Sequence, residues 1–276
     1  EEVAVCMTNL RRIDNMVYNA WTFAFQNDHI GRYGKLRPDG ISIRPVKGPG
    51  VPVPNNCVDL GLASGILWGK YNLGTTDPTK PGDYYAWGEI ETKKKYSDNY
   101  KFYGKSSLKD GVIKYNRRDG KMVLELEDDA ANVVLGVGYR IPTKEDWQEL
   151  FDECKWEAET VTLPEILDPS QTKVIKLWKV TGPNGNSITL PNSNGYKFEK
   201  GYEKEDYTFY TTSTLRPRNE PLFYDYLNDM TAWTVRWSIE AKETSYGNFE
   251  KPYFDDDIRR MCGFVIRPVF DLYSNK

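Results

Sequence analysis

The chain has 276 residues, 39% of them hydrophobic, which is enough for one large domain with its own core plus a shorter segment. Its 37 basic and 40 acidic residues leave a formal charge of -3, and the signs are mixed along the chain. That balance excludes nucleic acid as the main partner, because phosphate binding needs a concentrated basic face, and no apolar run approaches the roughly 20 residues of a membrane span.

The chain begins at Glu1 rather than Met, which reads as a processed, engineered or proteolysed product whose signal peptide or lipid anchor would precede it. Its first 46 residues read as a shortened copy of the last 60. Leu10-Arg11, Ala20-Trp21-Thr22 and Gly40-Ile41-Ser42-Ile43-Arg44-Pro45-Val46 recur in order. The second set is Leu215-Arg216, Ala232-Trp233-Thr234 and Gly263-Phe264-Val265-Ile266-Arg267-Pro268-Val269. The simplest origin is a tandem array, with residues 1–46 the C-terminal portion of a preceding module. Backbone groups of such orphan strands still need partners. They are expected to pack on the main module or to self-associate with a second chain.

Residues 47–56 hold three prolines and two glycines and predict an extended linker. The main module then spans 57–270, with a tail at 271–276. It opens at Val58–Trp68 as a strand, a tight turn and a second strand. After Gly82–Glu89 comes a charged loop from Thr92 to Asp119 with little periodicity, and 127–135 is predicted as a short helix. The strongest helix signal follows Pro142. Thr143 is the N-cap candidate, Asp146 completes a capping-box pattern, and Trp147, Leu150, Phe151 and Cys154 form one apolar face. A hairpin is expected from Leu177–Thr181 through Gly182-Pro183-Asn184-Gly185-Asn186 to Ser187–Pro191. Further strands are expected at Tyr207–Ser213, Ala232–Ile239 and Phe264–Val269, separated by loops long enough to be functional.

Five of these segments, in order, carry a resemblance. They are Val58–Trp68, Gly82–Glu89, Tyr139–Leu150, Val180–Pro191 and the closing Ile266–Val269. Together they are similar to the Fibrobacter succinogenes major paralogous domain, a module of surface proteins in gut Bacteroidota. The resemblance covers about residues 57–270. It implies an α+β, C-type-lectin-like fold of the formylglycine-generating-enzyme variant, with two main helices, a small twisted antiparallel sheet and long ligand-facing loops. It also implies an extracellular or outer-membrane surface location, lipid-anchored or secreted.

Catalysis is not expected. The formylglycine-generating relatives use a late cysteine pair, and here that region offers only Cys262, read as a small buried hydrophobe. The sole histidine, His29, lies in the orphan segment, so the main module has no Cys-His or Ser-His arrangement. Cys6, Cys57, Cys154 and Cys262 are too widely spaced for a metal knuckle, and their number leaves free thiols and one or two bridges equally open. No cofactor is expected. Asp255-Asp256-Asp257 is the densest oxygen cluster and the one candidate for calcium, but three consecutive acids on an extended segment do not all face one ion, so a solvated acidic loop is the preferred reading.

Ligand binding without metal is the favoured function, with a glycan or protein as partner. The loops 216–230 and 240–260 differ most between the two copies, and variation confined to loops marks a recognition surface. The candidate binding residues are Arg216, Arg218, Tyr224, Tyr226, Trp237, Tyr246, Asn248, Tyr253 and Arg259, types that stack on sugars and anchor protein contacts. Two alternatives stand beside this reading. One is a structural spacer repeat in a surface array or pilus, and the other a retroelement-diversified binder of the same fold.

Overall fold

A computed structural model describes residues 4–11, 19–26, 29–36, 53–97, 99–104, 111–116, 118–164, 172–199, 201–203, 207–216, 230–238, 243–244, 247–248 and 252–271. The chain divides into two compact units, Glu1–Pro52 and Val53–Lys276.

In the first unit β1 (Ala4–Arg11), β2 (Asn19–Gln26) and β3 (His29–Leu36) form a three-stranded antiparallel sheet and find their ladder partners in one another. The second unit is mostly β, with several sheets and two short α-helices. One sheet has the order β4-β5-β19-β7, from β4 (Cys57–Asp59), β5 (Leu67–Gly69), β7 (Tyr139–Arg140) and β19 (Val269–Phe270). A five-stranded sheet has the order β17-β14-β13-β18-β6. Its strands are β6 (Tyr84–Tyr85), β13 (Tyr207–Leu215), β14 (Ala232–Ser238), β17 (Tyr253–Asp255) and β18 (Phe264–Val265). A third sheet, β10-β9-β8, comprises β8 (Lys155–Pro164), β9 (Thr172–Thr181) and β10 (Ser187–Pro191). Among the described residues two small hairpins complete the set, β11 (Tyr196–Phe198) with β12 (Gly201–Glu203), and β15 (Glu243–Thr244) with β16 (Gly247–Asn248).

Several sheets therefore stand where one small antiparallel sheet was expected, and the largest is mixed, because β13 and β18 run parallel at Tyr210↔Val265. The closing segment also departs from expectation. Phe264–Val269 is not one strand but two, β18 and β19, in different sheets. Between them Arg267, fully buried, donates to the carbonyls of Gly69 (2.9 Å) and Thr189 (2.6 Å), bending the chain from one sheet into the other.

The helix after Pro142 forms as α2 (Lys144–Glu153), with the capping box intact. The Thr143 side chain accepts from the Asp146 amide at 3.1 Å, and Asp146 accepts from the Thr143 amide at 2.7 Å. The predicted 127–135 helix is interrupted. A 3-10 turn, Leu126–Asp128, precedes α1 (Ala130–Leu135). Asp129 separates them because its carboxylate caps α1 through the amides of Ala131 and Asn132 and also accepts from Ile141. Burial pushes the Asp129 carboxyl up to about 6, against the pull of those three amides.

The 177–181/187–191 hairpin forms as read, although β9 begins five residues earlier and pairs over ten positions with β8. Its turn needs glycine at 182, since a Cβ there would lie 2.1 Å from the Leu60 carbonyl oxygen. Trp68, Trp147 and Tyr210, all fully buried, join the sheets and α2 edge to face, with Trp68–Trp147 centroids 4.9 Å apart. A smaller core of Tyr196, Phe209, Ile258, Cys262 and Phe264 lies on the other face of the five-stranded sheet. There Cys262 is buried, as expected for a small hydrophobe. The described parts of the charged 92–119 segment are tied down by polar groups that periodicity does not reveal. Arg260 is buried and donates to the carbonyls of Tyr115 and Lys114, each at 2.9 Å. Asp128 accepts from Lys101, Lys114 and the Tyr115 hydroxyl. Burial raises the Asp128 carboxyl, but those three donors outweigh it and hold it below its usual range.

The two units build the same ladder. β1 pairs with β2 and slips between Met7 and Arg11, opposite Thr22 and Ala20. β13 pairs with β14 and slips between Thr211 and Leu215, opposite Thr234 and Ala232. A third antiparallel strand follows in each, with Thr22↔Tyr33 and Thr234↔Asp255. By this register Arg11 occupies the position of Leu215, one residue away from the Leu10–Leu215 match in the sequence. The connections differ: 12–18 and 27–28 in the first unit, 216–231 and 239–252 in the second.

Candidate functional site

The meander β13-β14-β17 separates the residues singled out from the sequence. The 216–231 connection joins the Leu215/Ala232 end of β14, and the 239–252 connection joins its Ser238/Tyr253 end. A seven-residue strand puts those ends about 20 Å apart. Arg216 and Arg259 belong to the first end, where Thr231 bridges to Arg259. Tyr253, Trp237 and the β15–β16 hairpin carrying Asn248 belong to the second. Arg218, Tyr224, Tyr226 and Tyr246 lie outside the described residues, as does the Asn248 side chain.

At the second end Trp237 is not a surface anchor. It is 3% exposed and stacks on Tyr210, with centroids 5.2 Å apart and planes 19° from parallel. Strand alternation is the reason: Trp233, Val235 and Trp237 share the face that covers the main core. Arg236 points the other way. Its guanidinium lies 3.9 Å from the Tyr207 ring centroid and 5.8 Å from that of Tyr253, and it pairs with buried Asp255 at 2.6 Å. Burial pushes the half-buried Tyr253 hydroxyl up.

At the first end a cation–aromatic cluster forms around half-buried Trp233. The Lys144 ammonium sits 3.8 Å from the Trp233 centroid and 5.2 Å from that of Phe254. Trp233 and Phe254 meet at 71° with centroids 6.1 Å apart, giving the ammonium two aromatic walls. Arg216 lies 5.4 Å from the same indole and is ion-paired with Asp256. Such contacts contribute about 0.5–2 kcal/mol each, depending on desolvation. Lys144 is the first residue of α2, where a cation opposes the helix dipole. It is placed there by the Thr143 cap and by its own amide, which donates to Thr214 Oγ1 at 3.0 Å. Sequence reading missed Lys144 and Trp233. A lysine in the first turn of a well-capped helix was the available signal.

The acidic run at 255–257 also differs from its sequence reading. The three carboxylates do bring oxygens within 4.8 Å of one another, because β17 ends at Asp255 and the Asp257 amide turns back to donate to the Asp255 carboxylate at 2.9 Å. Arginines already take two of the three, Arg236 on Asp255 and Arg216 on Asp256. A second group, Glu125, Glu127 and Asp128, surrounds the Lys114 ammonium at 2.7, 3.0 and 2.5 Å. Cys57 and Cys154 are not in disulfides, and burial pushes the Cys154 thiol up to about 11, away from nucleophilic use at neutral pH.

Two open clefts lie elsewhere. One of about 650 Å³ runs between Val123–Glu127 and Arg140, Thr143 and Asp271. One of about 580 Å³ runs between Tyr71–Thr76 and Val134–Leu135. Neither is lined by a residue proposed from the sequence to bind a ligand. Comparison with family models, with curated proteins and with solved structures finds no match.

Proposed function

We propose that this protein is a non-catalytic ligand-binding or adhesion module of C-type-lectin-like fold, related to the Fibrobacter succinogenes major paralogous domain and carried on a bacterial surface or secreted. Its ligand is a glycan or a protein. The order of the five sequence motifs supports the family reading, and the repeated ladder with unequal connections supports recognition by loops on a shared scaffold. One observation carries the choice of surface: two cations, Lys144 and Arg216, gather on one half-buried indole, Trp233, where the longer 216–231 connection departs. A flat aromatic wall beside hydrogen-bond donors suits both a sugar ring and an exposed peptide side chain.

The test is a glycan array probed with labelled protein, with calcium and with chelator, for the wild type, Arg216→Ala and Lys144→Gln. The expected result is binding that persists in chelator and falls at least about tenfold in each variant, as for loss of one contact at a hot spot. Binding unchanged in both variants overturns this surface. Binding lost only in chelator overturns metal-free recognition and returns attention to the 255–257 carboxylates. A silent array overturns the glycan ligand and leaves the protein ligand.

A further inference from the structure

Lys144 stands against the preferences that shape the rest of α2. It occupies the first helical position, where the aligned peptide dipoles favour an acid and oppose a cation. Glu145 and Asp146 follow that preference and Lys144 does not. Asp146 is committed to Arg140 and to the Thr143 amide, and Glu145 is carried about 100° round the helix from Lys144. Among the described residues the Lys144 ammonium donates no hydrogen bond and pairs with no carboxylate; its neighbours are the rings of Trp233 and Phe254. An ammonium carries three N–H donors, and two rings leave all of them without an oxygen. A charge placed against local preference, with its donors unused, is expected where function rather than stability sets the residue.

The neighbouring acids do not make up the difference. Asp256 engages Arg216 through Nη1, Asp255 is taken by Arg236, and Asp257, the third acid of that run, pairs with neither Lys144 nor Arg216. The Arg216 guanidinium has five N–H donors in a planar fork, so one carboxylate does not exhaust it. What completes this surface is a group that brings an anion to Lys144 and a flat apolar face to the half-buried indole. A sugar ring with a carboxylate or sulfate attached carries both within one residue, whereas an acidic peptide side chain carries the charge without the flat face. We propose that the ligand of the Trp233 surface is an acidic saccharide. Its anionic group pairs with the Lys144 ammonium, and its ring packs on the aromatic wall. This rests on the reading of that surface as the ligand site and narrows the ligand to one chemical class.

Matched pairs of saccharides test this with the whole chain. Uronate-containing, sialylated and sulfated oligosaccharides are each titrated beside the neutral form made by carboxyl esterification or desulfation. The proteins are the wild type, Lys144→Gln, Lys144→Arg and Arg216→Ala, at low and at high salt. The backbone amide of Lys144, not its side chain, ties α2 to Thr214, so the helix is expected to persist, and hydrogen exchange over 144–153 checks it. The wild type should bind at least one acidic form about tenfold or more tightly than its neutral form at low salt, with the preference shrinking at high salt. Lys144→Gln should remove most of that preference and Lys144→Arg should keep it, which separates charge from packing. A preference confined to the uronate and sialyl pairs assigns a carboxylate, and one confined to the sulfated pair assigns a sulfate. Equal binding of acidic and neutral forms, both weakened in Arg216→Ala, overturns the acidic ligand and leaves the Trp233 surface standing. An acid preference undiminished in Lys144→Gln also overturns it, since the anion is then read elsewhere. Silence of every pair overturns the saccharide, and binding of a polyglutamate peptide in its place assigns the surface to an acidic protein.

Discussion

Asp146 is buried and serves two structures at once, so its removal should cost more than the loss of a helix cap. Its carboxylate accepts from the Thr143 amide at 2.7 Å, closing the capping box, and pairs with Arg140, whose Nη2 lies 3.3 Å from Oδ1. The Arg140 side chain is only 13% exposed and has Asp271 as a second carboxylate at 3.3 Å. Thr143→Ala removes one cap acceptor and should cost about 1 kcal/mol. Asp146→Ala removes the reciprocal cap contact, worth a similar amount, and half-breaks a buried ion pair. A complete break costs about 3–5 kcal/mol, and with Asp271 retained roughly half of that applies, giving about 3 kcal/mol in total. The chain has two compact units, so a single unfolding midpoint is not a sound measure. Hydrogen exchange of the 140–153 segment, read beside urea titration, isolates the relevant unit. Asp146→Ala should reduce protection there about a hundredfold, and Thr143→Ala about fivefold. Equal losses in the two variants would refute the assignment of the larger share to the Arg140 pair.

Three further outcomes follow from the same structure. Trp237→Ala should destabilise the second unit by about 3–5 kcal/mol, because it empties a core site stacked on Tyr210; a variant with unchanged urea stability would place that indole outside the core. Gly182→Ala should cost more than about 2 kcal/mol, since its Cβ meets a backbone oxygen at 2.1 Å, whereas Gly185→Ala meets nothing within 4 Å and should lose only the roughly 1 kcal/mol of its positive φ. The order of their losses of hydrogen-exchange protection in the 177–191 hairpin checks this. Asp129 should oppose ordinary acid denaturation: its folded carboxyl is raised to about 6, so the folded state takes up a proton that the unfolded chain refuses until about 3.8. Stability from this group is therefore gained as pH falls through 6 and is complete below 3.8, up to about 3 kcal/mol. Urea titrations at pH 7 and pH 4.5, wild type against Asp129→Asn, should show the wild type gaining relative to the variant on acidification, and a relative loss would reverse the sign assigned here.

Local features were legible in the sequence and long-range ones were not. The Thr143 cap and the 177–191 hairpin are specified by neighbouring residues, and both formed as read. The β8–β9 pairing was missed because the alternation Trp156/Ala158 and the alternation Val161/Leu163 are out of phase across Glu159-Thr160, leaving no continuous hydrophobic period to follow. The splitting of Phe264–Val269 depends on partners near residues 67–69, 84–85 and 139–140, which no local pattern names. Trp237 was assigned to the surface from residue type, although alternation with buried Val235 put it on the core face. Lys144 and Trp233 escaped notice because their meeting needs the start of α2 to lie against β13 so that the lysine reaches across to β14, a contact across almost 90 residues of chain.

The double membership of the last strands has a consequence for how the chain comes into being. Phe264 and Val265 pair with Tyr85 and Tyr84, and Val269 pairs with both Trp68 and Arg140. The sheets begun by the earliest strands of the second unit thus wait for nearly its last residues, across loops of about 130 to 200 residues. Contacts so distant in sequence make for slow folding. A ribosome must release almost the whole unit before β5, β6 and β7 acquire their final neighbours, so the nascent polypeptide spends its synthesis with those edges uncovered.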